Sequence, residues 1–201
     1  MRLFPSFSVP VVPAISALVL AATPVWAQQA APQNAPPNTT VTDTKAIGDW
    51  TVRCFSVASV SPCDMYQESQ ETNSHRRVLG FSLAYVPKDD KHVVDIAVPL
   101  GISIPAGLII KTDGYTSPRL GYHHCDQAGC YIEGVMPNDM VASIAKSGPE
   151  ATVNIQSDDG KAFNIKLSLN GFASAHDAMS ALAKTKAKDV PVATAPDAGK
   201  K

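Results

Sequence analysis

The chain is poor in charge. Asp, Glu, Lys and Arg make up 17% of its 201 residues, and 17 basic residues are balanced by 18 acidic ones. A net charge of −1 gives no electrostatic reason to expect a duplex nucleic-acid binder, because phosphate contacts need clustered Lys and Arg. Arg76-Arg77 is only a pair. Catalytic signatures are missing too: there is no Gly-x-Ser-x-Gly elbow, no His-Glu-x-x-His helix and no glycine-rich phosphate loop. A single continuous apolar run exists, at the extreme N-terminus, so the mature chain has no transmembrane segment to offer. Glycine is scarcer than proline, 12 against 16, and nine of the prolines lie before Ile47 or after Ala183. What is present is apolar: 45% of residues are hydrophobic, too many for a wholly disordered chain.

The apolar run, Val11 to Ala22, has the length of a signal-peptide h-region and is too short to span a bilayer. Arg2 supplies a positive n-region, and Val25-Trp26-Ala27 places compact residues at the −3 and −1 positions of a cleavage site. Residues 1–27 are therefore expected to be a signal peptide cut between Ala27 and Gln28. The first cysteine, Cys54, lies far past that site, which excludes a lipid anchor on an N-terminal cysteine. Residues 28–46 are rich in Pro, Gln, Asn and Thr and read as a flexible linker. Asn38-Thr39-Thr40 within it matches a glycosylation sequon by chance, given the bacterial-style leader. Residues 184–201 read as a weakly basic, disordered tail. The ordered domain is then 47–183, the size of one ordinary domain.

Period-2 alternation dominates that domain. It is seen in Trp50, Val52, Cys54; in Phe81, Leu83, Tyr85; in Val94, Ile96, Val98; and in Phe163, Ile165, Leu167, Leu169. Val153 and Ile155 alternate just before the last run, and Asp158-Asp159-Gly160 between them predicts an antiparallel hairpin over 151–169. Leu108 to Ile110 is continuously apolar and suits a strand buried on both faces. Many short strands separated by turn residues predict a mainly β fold, an antiparallel β-sandwich. Two short helices complete it. One spans Asn138 to Ser147, with Asn138 as its cap; the other runs from about Ser174 to Ala183, with Ser174 and Asp177 resembling a capping box. Trp50 is expected to be buried against a disulfide; exposed, it would be a binding anchor.

Four cysteines, Cys54, Cys63, Cys125 and Cys130, allow three pairings. Export makes disulfides the default over thiolate ligands. Spacing favours Cys54–Cys63 and Cys125–Cys130, short loops that each stabilise by roughly 2–3 kcal/mol in the chain-entropy model. The competing reading is a metal site using His123-His124-Cys125 and Cys130. Adjacent histidines on a strand point to opposite faces, which argues against both facing one ion. No metal, no cofactor and no catalytic residue is assigned. His75, His92 and His176 are given solvated or packing roles.

Several of these features occur together in order: Gly48-Asp49-Trp50-Thr51-Val52-Arg53-Cys54, Cys63 leading into Gln67, Pro99-Leu100-Gly101-Ile102, Cys125-Asp126-Gln127-Ala128-Gly129-Cys130, and Leu167-Ser168-Leu169-Asn170-Gly171-Phe172 before an Ala-rich helix. As an ordered set they resemble the invasion-associated locus B family of exported Gram-negative proteins, over about Ile47 to Leu182. The resemblance implies an immunoglobulin-like β-sandwich in the periplasm or associated with the outer envelope. It also implies a link, in some members, to host-cell invasion. The function expected is a disulfide-stapled, non-enzymatic envelope protein that binds a protein or envelope component. The alternatives are an envelope hydrolase with a site assembled from loops, or a metal-binding module using His123 and His124. The leader makes one direct prediction: protein recovered from the envelope fraction begins at Gln28 on N-terminal sequencing, and a chain starting at Met1 refutes it.

Overall fold

A computed structural model describes residues 40–188. The leader, its cleavage site at Ala27–Gln28, the Asn38 sequon and the chain after Lys188 lie outside the described residues. The alternating runs are strands. Trp50, Val52 and Cys54 point inward from β2 (Trp50–Phe55). Phe81, Leu83 and Tyr85 do so from β4 (Arg77–Val86), and Val94, Ile96 and Val98 from β5 (Lys91–Val98). The expected hairpin is β10 (Glu150–Gln156) with β11 (Ala162–Ser168), in unbroken register from Glu150 opposite Ser168 to Gln156 opposite Ala162. Around them lie β1 (Val41–Ile47), β3 (Cys63–Gln70), β6 (Ile109–Thr112), β7 (Tyr115–Thr116), β8 (His124–Asp126) and β9 (Gly129–Met136). They form two antiparallel sheets, a β-sandwich: seven strands in the order β1-β2-β3-β4-β5-β9-β8, and four in the order β11-β10-β6-β7. The larger sheet alone has as many strands as a whole immunoglobulin constant domain.

Between the layers runs one continuous core. The large sheet contributes Met65, Phe81, Leu83 and Ile96, and the small one Ile110, Val153 and Leu167. The two helices, α1 (Asn138–Ala145) and α2 (Phe172–Lys186), close it. Ala175, Met179 and Ala183, spaced by four, put one small-and-flexible stripe of α2 across β2, β3 and β4. Burying side chains of Leu, Ile, Phe and Met size stabilises by about 1.5–3 kcal/mol each.

Four expectations are corrected here, and one alternative is eliminated. The linker does not reach residue 46: Val41–Ile47 is a strand paired with β2. Every one of its residues before Ile47 is exposed, so no hydrophobic alternation marks it. The tail does not start at 184, because α2 continues to Lys186, with Lys184 and Lys186 in the last turn where the helix dipole favours cations. The Ser174–Asp177 capping box does not form. α2 starts earlier, at Phe172, behind Gly171 in the left-handed conformation, and this delivers the Phe172 ring to Trp50 at 5.1 Å, edge-to-face. Asn138 is not a cap; that place is taken by Pro137. Trp50 is fully buried against Phe81 and Phe172, so the exposed-anchor alternative is eliminated.

The sandwich is tied at one junction, where the β1–β2 turn meets the β11–α2 turn. Gly48 (φ 59°) and Gly171 (φ 82°) cross backbone to backbone. A Cβ on Gly48 would lie 2.4 Å from the Asn170 carbonyl oxygen, and one on Gly171 2.5 Å from that of Ile47. Asp49 N–H donates to the Asn170 carbonyl (3.1 Å), and Trp50 Nε1–H to the Ser168 carbonyl (3.1 Å). Buried Gln67 completes the clip. Its Nε2 donates to the carbonyls of Asp49 and Ser168, both at 3.1 Å, and its Oε1 accepts from Ser168 N–H at 2.8 Å.

A second polar junction joins β5 to both helices. His92 is buried; its Nδ1 meets Asn138 Oδ1 at 2.7 Å and its Nε2 meets His176 Nε2 at 2.8 Å. Asn138 Nδ2 donates to the Asp90 carbonyl, and Tyr85 Oη donates to the Asp90 carboxylate at 2.6 Å. With Asn138 Oδ1 as acceptor, Nδ1 of His92 carries the proton and Nε2 receives one from His176. Burial, reinforced by the charge of His176, lowers the His92 pKa, although the Asn138 hydrogen bond and Asp90 oppose the shift.

Two predictions follow from these junctions. Gly48→Ala and Gly171→Ala each lose at least about 2 kcal/mol in urea unfolding, from steric clash and left-handed strain together. Gly114→Ala, also at positive φ but with open space around it, loses less, and equal losses at all three would refute the crossing. Because the folded state holds His92 neutral below its ordinary value of 6.5, the folded protein takes up fewer protons than the unfolded chain in acid. Stability should therefore be retained above that pH and lost as pH falls through it towards the lower folded-state value. In His92→Gln this part of the urea midpoint's pH dependence should vanish; an unchanged profile would be the contrary result.

Candidate functional site

The inward face of the large sheet is consumed by the core, so chemistry is available only on its outward face. Strand register places Thr51, Tyr66, Ser82, Asp95 and Glu133 in one row across β2, β3, β4, β5 and β9. Beside it, Arg53 and Asp64 pair across β2 and β3. At that end of the face the charges are closed off. Arg53 grips Asp64 with both arms of the guanidinium, Nε to Oδ1 at 3.0 Å and Nη2 to Oδ2 at 2.5 Å. Ser82 Oγ donates to the same carboxylate at 2.8 Å. The guanidinium also lies 4.1 Å over the Tyr66 ring, a cation–π contact. Tyr66 Oη in turn donates to Glu68 at 2.5 Å. Desolvation and then that acceptor raise the Tyr66 pKa, while Gln70 and Tyr66 as donors lower that of Glu68.

The other end is open. Asp95 and Glu133 are cross-strand partners, a distance at which like charges repel. Desolvation, and second the Glu133 charge, raise the Asp95 pKa, although the residue also reaches solvent. Beyond Glu133 the β8–β9 hairpin carries His123 and His124. His123 Nδ1 lies 3.1 Å and His124 Nδ1 3.6 Å from Glu133 Oε2. The opposite-face expectation for these histidines fails because only His124 is in β8; His123 precedes it. Its backbone N–H still donates to the Tyr131 carbonyl at 2.8 Å, yet its side chain turns toward Glu133.

The cysteines pair as Cys54–Cys63 and Cys125–Cys130, and none is free. Both bridges join residues directly opposite each other on adjacent strands. The second locks the hairpin whose turn forms one wall of a cleft of about 560 Å³. Gln127 and Ala128 from that turn face Pro99 and Leu100 after β5, with Glu68, Arg76 and Arg77 on the remaining side. Arg77 Nη2 reaches the Ala128 carbonyl at 3.5 Å. Leu100 is 54% exposed. Two segments that carried the family resemblance, at 99–102 and 125–130, thus converge on one cleft. Sequence reasoning weighed Arg76-Arg77 only as a nucleic-acid footprint and did not connect the pair with Leu100. Nothing in the local pattern marks a residue pair brought together across β4, β5 and β9. His75 sits in an exposed turn at φ 53°, next to Arg76 in the chain.

Similarity to known proteins agrees with this architecture. Residues 50–180 match the family model described as invasion associated locus B protein. Invasion protein B homologs of Brucella abortus strain 2308 and of Brucella abortus biovar 1 strain 9-941 are each 31% identical over 137 residues, covering 68% of this chain and 78% of theirs. The crystal structure of invasion associated protein B from Bartonella henselae superposes with a TM-score of 0.62 at 22% identity, over 71% of this chain and 99% of that one; it shows the shared fold. Family match, relatives and fold agree: the chain belongs to the invasion-associated locus B family.

Proposed function

We propose that this is a non-enzymatic binding protein of the bacterial envelope, periplasmic or outer-envelope associated, that engages a protein or envelope component through the cleft beside the Cys125–Cys130 hairpin. The observation that carries the reading is that cleft. It sets two guanidinium groups beside the exposed Leu100 side chain, on walls fixed by a disulfide and by strand pairing. A rigid rim with cationic and apolar groups suits a ligand that carries both acidic and apolar groups. Two disulfides fit an oxidising compartment, and among the described residues no helix is long and apolar enough to cross a membrane. The names of the Brucella and Bartonella relatives support a contribution to host-cell invasion.

The test is capture from envelope extracts on the immobilised protein, compared with the double variant Arg77→Glu, Leu100→Asp. A partner retained by the native surface should be weakened about ten-fold or more in the variant, as expected when central contacts are removed. Equal capture by both, or none by either, rejects the cleft as the binding surface.

A further inference from the structure

We propose that His123, His124 and Glu133 form a binding site for a first-row divalent cation of the zinc type, with the Cys125–Cys130 disulfide as its scaffold rather than its ligand. Among the described residues they are the group of His, Cys, Asp and Glu whose donor atoms lie close enough to share an ion. The decisive feature is the shape of the donor triangle. Glu133 Oε2 to His123 Nδ1 is 3.1 Å, the two Nδ1 atoms are 3.3 Å apart, and Glu133 Oε2 to His124 Nδ1 is 3.6 Å. An ion with bonds of about 2.05 Å to nitrogen and oxygen spaces tetrahedral ligands about 3.4 Å apart, whereas octahedral neighbours would be about 2.9 Å apart. The three edges scatter around the tetrahedral value. A single proton can bridge only one pair of these atoms at a time; a cation bridges all three.

The donors are also held in place. The His124 ring stacks on Tyr131, 4.8 Å between centroids and 15° between planes. Tyr131 is its partner in the β8–β9 register and accepts the backbone N–H of His123, so one residue positions both imidazoles. The disulfide one step further along closes the same ladder at Cys125 and Cys130. Glu133 projects from β9 two residues beyond Tyr131, on the same face of the strand. Two imidazoles and one carboxylate suit zinc and its neighbours rather than magnesium, which demands an octahedral oxygen shell. All three residues are exposed. Three protein ligands leave the fourth position facing solvent, for water or for a donor from another molecule.

The experiment uses the full processed chain, untagged, stripped with chelator under non-reducing conditions so that both disulfides stay closed. Titration calorimetry with Zn²⁺ should give one equivalent per chain, not displaced by a large excess of Mg²⁺. Co²⁺ in its place should show the intense visible absorption of a tetrahedral complex. His123→Ala, His124→Ala and Glu133→Gln should each weaken Zn²⁺ binding by about ten-fold or more. His75→Ala should leave it unchanged, and thermal melting of the apo variants should show that each still folds. Absence of Zn²⁺ binding, displacement by Mg²⁺, or binding undiminished in the three variants would overturn the proposal. None of these readouts depends on a partner occupying the cleft.

Discussion

The crossing of Gly48 and Gly171 is the constraint on which the rest of the structure depends. Two turns approach so closely that neither tolerates a Cβ, and this closeness brings the Asp49 N–H onto the Asn170 carbonyl. It also allows the Trp50 indole to reach the Ser168 carbonyl while its ring meets Phe172. The indole N–H and the Gln67 amide would be costly to bury alone, about 1–3 kcal/mol for each group left unsatisfied. Here each finds backbone partners that the crossing supplies. The large sheet, the end of the small sheet and the start of α2 are fixed to one another in a single step. Once Phe172 is anchored, the Ala175, Met179 and Ala183 stripe lies down on β2, β3 and β4 without any side-chain cap.

The two disulfides act on a smaller scale. Each joins strands that are already neighbours in a ladder, so neither determines topology. What they add is rigidity at the two places where the large sheet frays into loops. Cys54–Cys63 closes the loop after β2. Cys125–Cys130 holds the short edge strand β8, three residues long, which strand pairing alone would keep only marginally in place. Because every cysteine is consumed in this way, the soft ligands considered in the sequence are removed. The nitrogen and oxygen donors nearby are what remains.

Much of this was legible in the sequence. Trp50-Val52-Cys54, Phe81-Leu83-Tyr85 and Val94-Ile96-Val98 alternate because one face of each strand is dry, and Asp-Gly between two such runs marked the β10–β11 hairpin, whose register the structure supplies. Where alternation failed, the strand was missed for a physical reason. β1 has no dry face. On β3 the inward position between Met65 and Ser69 is Gln67, a polar residue buried because the turn crossing needs it. On β9 the inward place after Ile132 is Gly134, which offers no side chain to read. Helix starts were misjudged for the opposite reason. Asn138 and Ser174 look like caps locally, but tertiary partners decide: His92 claims the Asn138 side chain and Trp50 draws Phe172 inward. The site was least legible, since Arg77, Leu100 and Ala128 come from three separate segments, and the convergence of His123 with His124 depends on the strand beginning at the second histidine of the pair.

One row of the outer face explains why function should concentrate at its β9 end. At the β2 end, Asp64 is buried with two guanidinium nitrogens and a serine hydroxyl donating to it. Nothing there remains for a ligand to satisfy. Moving along the register to Asp95 and Glu133, two carboxylates stand opposite one another with no lysine or arginine in a direct ion pair with either among the described residues. Among the described residues the ion-pair partners of Glu133 are imidazoles, whose ring nitrogens can give a proton or a lone pair. The same fold therefore carries a closed polar network at one edge of the sheet and an open one at the other. Rigid strand pairing and the Cys125–Cys130 bridge hold the open end in shape without satisfying it. An unsatisfied but preorganised set of donors is what a cation or a charged partner can exploit at little ordering cost.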